Sequence, residues 1–151
     1  MRLCRFRFFL LFAAVFWLAG ALRSPADELP PDPASLIGLT LEGMISRFGV
    51  PQSVYALRGP EEWQDDVVFV YDQGDFYVYK DRIWQLGVNA AYNIKVGDPR
   101  GTVFLVLGEE IQNFEDHIIS PLPGRAWPLA LRVNFDPSGL VSAIFVYRPD
   151  F

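Results

Sequence analysis

Apolar positions along this chain switch between two periods. Leu41, Met44, Ile45 and Phe48 recur at intervals of three and four, the spacing of one helix face. Thr40 stands ahead of them as a cap, and Gly49-Val50-Pro51 closes the run, with glycine just past the end and proline behind it. A period of two then takes over. Residues 67–71, 76–79 and 82–88 read as three strands, joined by turns at 72–75 and 80–81. Residues 55–66 between helix and strands read as polar connection. The same order follows again. Asp98 stands as a cap, Pro99 suits a first helical position, and Val103, Phe104 and Leu107 supply a buried stripe. The β-branched residues there weaken the helix. Residues 115–122 hold a short strand, and residues 128–135 and 140–147 form a hairpin about Asp136-Pro137-Ser138-Gly139.

Glycines frame both helices. Residues 38–49 read G-L-T-L-E-G-M-I-S-R-F-G, and residues 97–108 read G-D-P-R-G-T-V-F-L-V-L-G. In each, the glycines stand eleven apart, with large apolar residues six and ten after the first: Met44 and Phe48, then Val103 and Leu107. The offset is 59 residues. Self-similarity at a fixed offset predicts tandem units, here residues 35–91 and 92–151. Helix then strands, twice, predicts an α+β layer with helices on one face of an antiparallel sheet.

Strand alternation sorts the residues by face. With Tyr71 paired to Phe76, Val67, Phe69, Phe76, Val78 and Ile83 share one face. Tyr77, Tyr79 and Trp84 share the other with Val68 and Val70. In the second unit Leu129, Leu131, Val133 and Phe135 point one way, and Arg132, Asn134, Phe145 and Tyr147 the other. One face is therefore aliphatic and suited to helices. The other is rich in Tyr, Trp, Phe and Arg, the residues that dominate binding hot spots.

The start of the chain has a different character. Arg2, Arg5 and Arg7 precede an apolar run over residues 8–18 and a small-residue site at Ala19-Gly20-Ala21. This is the three-part pattern of a secretory signal peptide over residues 1–21. The run, about 15 residues when stretched to Leu22, falls short of the roughly 20 that span a bilayer. An uncleaved amino-terminal anchor is the alternative. Residues 22–34, rich in proline and acids, read as a tether.

Composition narrows the function. Of 151 residues, 51% are hydrophobic and 15% aromatic, enough for a folded body. Cys4 is the only cysteine and lies within the expected signal segment, so the exported chain has neither a disulfide nor a thiolate metal ligand. Removing Arg2, Arg5 and Arg7 from 13 basic residues leaves 10 against 18 acidic, a net charge of −8. Such a chain is unsuited to nucleic acid and complements a partner with a basic patch.

Catalytic chemistry finds little support. His117 is the sole histidine, beside Glu115 and Asp116, and no nucleophile motif frames it. Asp72, Asp75 and Asp81 lack the spacing of a calcium loop. Residues 97–101 lack the Gly-Lys-Ser/Thr of a phosphate loop. Neither a catalytic, metal nor cofactor site is expected.

The glycine-framed helix, with Gly38-Leu39-Thr40, Met44 and Gly49 and then Gly97, Val103 and Gly108, resembles the signature of the outer-membrane assembly lipoproteins of the SmpA/OmlA type. It also resembles the β-lactamase inhibitory protein family, in which two such units stand in tandem. Asp98-Pro99 departs from the usual Met-Thr, and the lipid-bearing cysteine and the inhibitor's disulfides have no counterpart. The resemblance implies two tandem αα-βββ units, a concave sheet face that binds protein, and no enzyme activity. Gly74-Asp75-Phe76-Tyr77-Val78-Tyr79 looks like the inhibitor's G-D-Y-Y-A-Y hairpin. That likeness implies Asp75 as an inserting acid flanked by Phe76, Tyr77 and Tyr79.

The resulting expectation is a secreted or periplasmic, non-catalytic module of the cell envelope. It would bind an envelope or secreted protein through Asp75, Phe76, Tyr77, Tyr79, Trp84, Arg132, Phe145 and Tyr147. Trp63 and Trp127, in connections, would serve as rim contacts or packing anchors. Inhibition of a secreted hydrolase through the Asp75 hairpin is the second expectation and small-ligand binding the third. A second copy of the chain is another occupant for the aromatic face.

Overall fold

A computed structural model describes residues 29–30, 32–59, 65–108 and 111–151. The expected signal segment, Cys4, most of the tether and Trp63 lie outside the described residues.

A single 3-10 turn, Pro33–Leu36, precedes helix α1 (Leu41–Phe48). Four strands follow: β1 (Ser53–Leu57), β2 (Asp66–Tyr71), β3 (Gly74–Tyr79) and β4 (Arg82–Val88). A small hairpin of β5 (Ala90–Ala91) and β6 (Ile94–Lys95) leads to helix α2 (Arg100–Leu107). Four more strands complete the fold: β7 (Gln112–Asn113), β8 (His117–Pro121), β9 (Ala130–Phe135) and β10 (Val141–Tyr147). The eight longer-range strands form one antiparallel sheet in the order β1-β2-β3-β4-β10-β9-β8-β7.

This corrects the expected αα-βββ architecture. Among the described residues each half holds one α-helix and a four-stranded meander, and the sheet dominates. Two local causes account for the difference. The segment ahead of α1 makes one 3-10 turn and is ended by Ile37 in extended conformation and by Gly38 at φ 89°, a left-handed backbone that does not continue a helix. The segment ahead of α2 turns back at Tyr92 and Asn93, whose φ values of 50° and 63° make a hairpin turn rather than a helix. The extra strands of the main sheet are β1, which overlaps the stretch 55–66 read from sequence as connection, and the short β7 ahead of β8.

Both helices are docked by equivalent backbone joints. Around α1, Gly38 N–H donates to Ile83 O (2.7 Å), Ile83 N–H to Leu39 O (3.0 Å) and Leu41 N–H to Asp81 O (3.2 Å). Around α2, Gly97 N–H donates to Val141 O (2.8 Å), Val141 N–H to Asp98 O (2.8 Å) and Arg100 N–H to Gly139 O (2.9 Å). Each helix ends at a glycine, Gly49 (φ 77°) and Gly108 (φ 75°), a conformation that disfavours any Cβ. The starts differ. Thr40 Oγ1 accepts from Gly43 N–H at 3.1 Å. Asp98, expected to cap α2, instead accepts from Lys95 N–H at 2.9 Å, and α2 begins after Pro99 with no side-chain cap.

The helices bury Met44, Phe48 and Val103 into one core with Phe76, Leu86, Ile118, Leu131, Val133 and Ile144. Phe48, Tyr71 and Phe76 form an aromatic triangle with centroids 5.1–5.9 Å apart. The Tyr71 hydroxyl donates to Gly49 O at 3.0 Å, tying the end of α1 to the sheet. The core therefore consumes one sheet face and leaves the other outward.

The observed pairing sets Phe69, not Tyr71, opposite Phe76. That register differs from the expected one by two residues. A shift of two preserves faces, whereas a shift of one would exchange them. The sorting by alternation is thus retained. Val67, on the helix face, is nevertheless 40% exposed, and Val68, on the outer face, is fully buried. Val68 lies between Tyr55 and Tyr77 in the pairing register.

Candidate functional site

Strand register assembles the outer face in two neighbouring rows. One runs Tyr55, Val68, Tyr77, Gln85, Tyr147 from β1 to β10. The next runs Val70, Asp75, Gly87, Phe145, Arg132 from β2 to β9. Tyr77 and Phe145 meet edge to face at 6.3 Å and 74°, a favoured aromatic geometry. Five of the eight residues singled out from sequence thus share the two rows: Asp75, Tyr77, Phe145, Tyr147 and Arg132.

Trp84 joins them through an irregularity. In the β3–β4 register Tyr77 faces Gln85 and Val78 faces Ile83, so Trp84 has no opposite residue. Such a bulge re-aims a side chain. The Trp84 indole N–H donates to Asp66 Oδ1 at 2.8 Å, and the Trp84 carbonyl accepts from Arg148 N–H at 3.0 Å. Burial pushes the Asp66 carboxyl above its ordinary value, against the lowering effect of the indole hydrogen bond; neighbouring Asp65 adds to the rise. Phe151 lies over this group, stacked on Trp84 at 6.0 Å and edge-on to Tyr79 at 5.6 Å. The Arg148 guanidinium sits 4.9 Å from the Phe151 ring and 5.5 Å from the Trp127 ring. Trp127 therefore anchors packing, with its indole against Gly38.

Phe76 leaves the set. It is fully buried on the helix face, in the triangle with Phe48 and Tyr71, and offers nothing to a partner. Asp75 also differs from the inhibitor likeness. It is not at a hairpin tip but in the strand, paired with Val70 and Gly87. Its half-buried carboxylate lines a cleft of about 210 Å³ at the β3–β4–β10 junction. The acid is recessed rather than presented for insertion.

The electrostatics of the face are uneven. Burial raises the Tyr77 phenol above its ordinary value, and repulsion between its phenolate and the neighbouring acidic groups, Asp75 and Asp66 among them, adds to the effect. Burial likewise raises Tyr147, while Arg132 pulls it down. Arg132 Nε donates to Asn134 Oδ1 at 2.8 Å. His117 lies beyond this group on β8, its Nδ1 2.6 Å from Asp116 Oδ1 and its ring stacked 4.4 Å from Phe114. Among the described residues no three His, Cys, Asp or Glu side chains converge on a point. Asp72 accepts from Gln52 Nε2, and Asp81 sits in a turn with φ 66°.

Three contributors were missed by sequence reasoning. Tyr55 is 45% exposed and belongs to the first row; the β-branched and aromatic pair Val54-Tyr55 was its available signal. Asp66 required knowledge of the bulge. Phe151 reaches Trp84 only through tertiary packing.

No family model matches the chain, and no curated protein matches it. Among solved structures, the chain is similar to an extracellular protein containing an SCP domain from Bacillus anthracis str. Ames, with 13% identity and a TM-score of 0.51. The match covers 79% of this chain and 46% of that one, so the chain spans about half of its structural neighbour. At that identity the likeness concerns the fold alone. No helix among the described residues is long and apolar enough to cross a membrane.

Proposed function

We propose that this chain is an exported, non-catalytic protein-binding module that contacts its partner through the outer sheet face. The observation that carries the reading is the continuous group of Tyr77, Tyr79, Trp84, Phe145 and Tyr147, all only half buried although the helices already occupy the opposite face. Aromatic side chains offer large contact area for little loss of rotamer freedom, and their polar tips fix orientation. A water-facing sheet surface would ordinarily alternate to polar residues. Export is supported by Arg2, Arg5, Arg7, the apolar run after them and the Ala19-Gly20-Ala21 site. The similar fold also occurs in a protein described as extracellular.

The test is crosslinking capture from envelopes of the source cells, comparing the wild type with Tyr77→Ala/Trp84→Ala, after circular dichroism has shown both to be folded. A protein crosslinked by the wild type and lost from the variant is the expected result. Equal capture by both would remove the face from consideration. Bait crosslinked only to bait would make a second copy the occupant instead.

A further inference from the structure

The cleft at Asp75 combines three features that the aromatic rows alone do not explain. First, it is large enough to hold a side chain. About 210 Å³ is several times the roughly 30 Å³ share of one liquid water. Second, its floor is opened by Gly87. A Cβ there would lie 3.3 Å from the Phe145 ring and 3.6 Å from the Asp75 Cβ, so any larger residue would close the gap between ring and acid.

Third, its charge is one-sided. Asp72 and Asp75 line it, with Asn89 and Ser142 as further oxygen acceptors, and no described lining residue is cationic. Among the described residues no hydrogen bond or ion pair reaches the Asp75 carboxylate, in contrast to those of Asp72, Asp66 and Asp32. The cation in the same row, Arg132, stands three strands away. That is about 14 Å at the usual spacing of roughly 4.8 Å. Phe145 intervenes, and Arg132 is held by Asn134.

We infer that this cleft receives an arginine side chain of the protein partner. The inference rests on the protein-binding reading and names the chemistry of the partner's contact. A guanidinium is planar and carries five donors. It can lie against the Phe145 ring while directing paired N–H groups to the Asp75 carboxylate. Its remaining donors meet Asn89 and Ser142. An ammonium has three donors and no flat face, and uses this geometry less well. The cleft opens beside Tyr77 and Phe145, so an inserted side chain comes from whatever covers the aromatic rows.

The full-length chain is titrated with N-acetyl-arginine methylamide and followed by amide NMR shifts. The lysine analogue and the neutral citrulline analogue serve as comparisons. Resonances of Asp75, Gly87 and Phe145 should move together and saturate in the millimolar range. Asp75→Asn should weaken binding by about tenfold or more, and so should the citrulline analogue, each having lost the charge-assisted pair. Asp75→Asn keeps the shape of the side chain, so its loss of binding does not require misfolding. An unmoved Asp75, equal binding to Asp75→Asn, or equal binding of citrulline would overturn the inference. Lysine binding as tight as arginine would overturn the guanidinium assignment. If the arginine analogue fails while capture still depends on Tyr77 and Trp84, only the cleft inference falls. If capture is also indifferent to those residues, the binding reading falls with it.

Discussion

Gly74 has no space for a side chain. A Cβ at that position would lie 2.2 Å from the Gly87 carbonyl oxygen, and its φ is 150°. The obstacle is backbone, which does not swing aside as a side chain does. Gly74→Ala therefore strains the turn into β3 and the strand opposite it. A loss of about 2 kcal/mol or more is expected in urea denaturation. Gly101, inside α2, is the opposite case: nothing lies within 4 Å of a Cβ there. Gly101→Ala should gain about 0.5–1 kcal/mol, because alanine loses less backbone freedom on entering a helix. Equal effects of the two substitutions would show that glycine identity, not local space, governs both sites.

At the level of elements, α1 is specified locally and α2 is held by its surroundings. Thr40 caps α1 through Gly43 N–H, and Thr40→Ala should cost about 1 kcal/mol, read as a lowered urea midpoint. No comparable loss is expected on replacing Asp98 by Asn, since the contact to Lys95 N–H needs only a side-chain oxygen. The same contrast explains what was legible in the sequence. Helix α1 and strands β2, β3, β4, β9 and β10 carry periodicity, caps and turn residues within a few positions. Their faces could be assigned even with the β2–β3 register off by two, because parity survived. Strand β1 could not be recognised so readily. All five of its residues are exposed, so no buried alternation marks it, and only pairing with β2 makes it a strand. The aromatic rows were legible because alternation places side chains by parity alone. The recess around Asp75 was not. It depends on Gly87, which lies twelve residues on in sequence, and on Phe145, brought alongside by the β4–β10 pairing.

At the scale of the molecule, that β4–β10 seam joins the two meanders around one core, and a second tie crosses the fold far from it. Asp32, ahead of α1, accepts the Tyr92 hydroxyl at 2.8 Å and pairs with the Arg125 guanidinium at 2.6 Å. Three distant chain segments meet there. Desolvation pushes the Asp32 carboxyl up, but hydrogen bonds from Tyr92 and Arg125 outweigh it and hold the group below its ordinary value. Burial, with the Asp32 hydrogen bond second, pushes Tyr92 up to about 12 from 10.0. The two groups act at opposite ends of the pH scale. The depressed acid contributes stability that is present above its unfolded value and lost as pH falls through its folded one. The raised phenol contributes stability that is complete below pH 10 and lost as pH rises from there toward about 12. After allowance for solvent screening of a half-buried group, the phenol's share is about 1–2 kcal/mol. Tyr92→Phe should therefore be less stable than the wild type at neutral pH by about 1 kcal/mol, the net value of the lost hydrogen bond. Between about pH 10 and 12 the difference should shrink, because the wild type loses a contribution that the variant never had. Urea midpoints measured across that interval decide the matter. Parallel alkaline curves for the two proteins would mean that the Asp32–Tyr92 contact does not couple to folding, and that the segment before α1 is held by Ala34, Leu36 and Ile37 in the core instead.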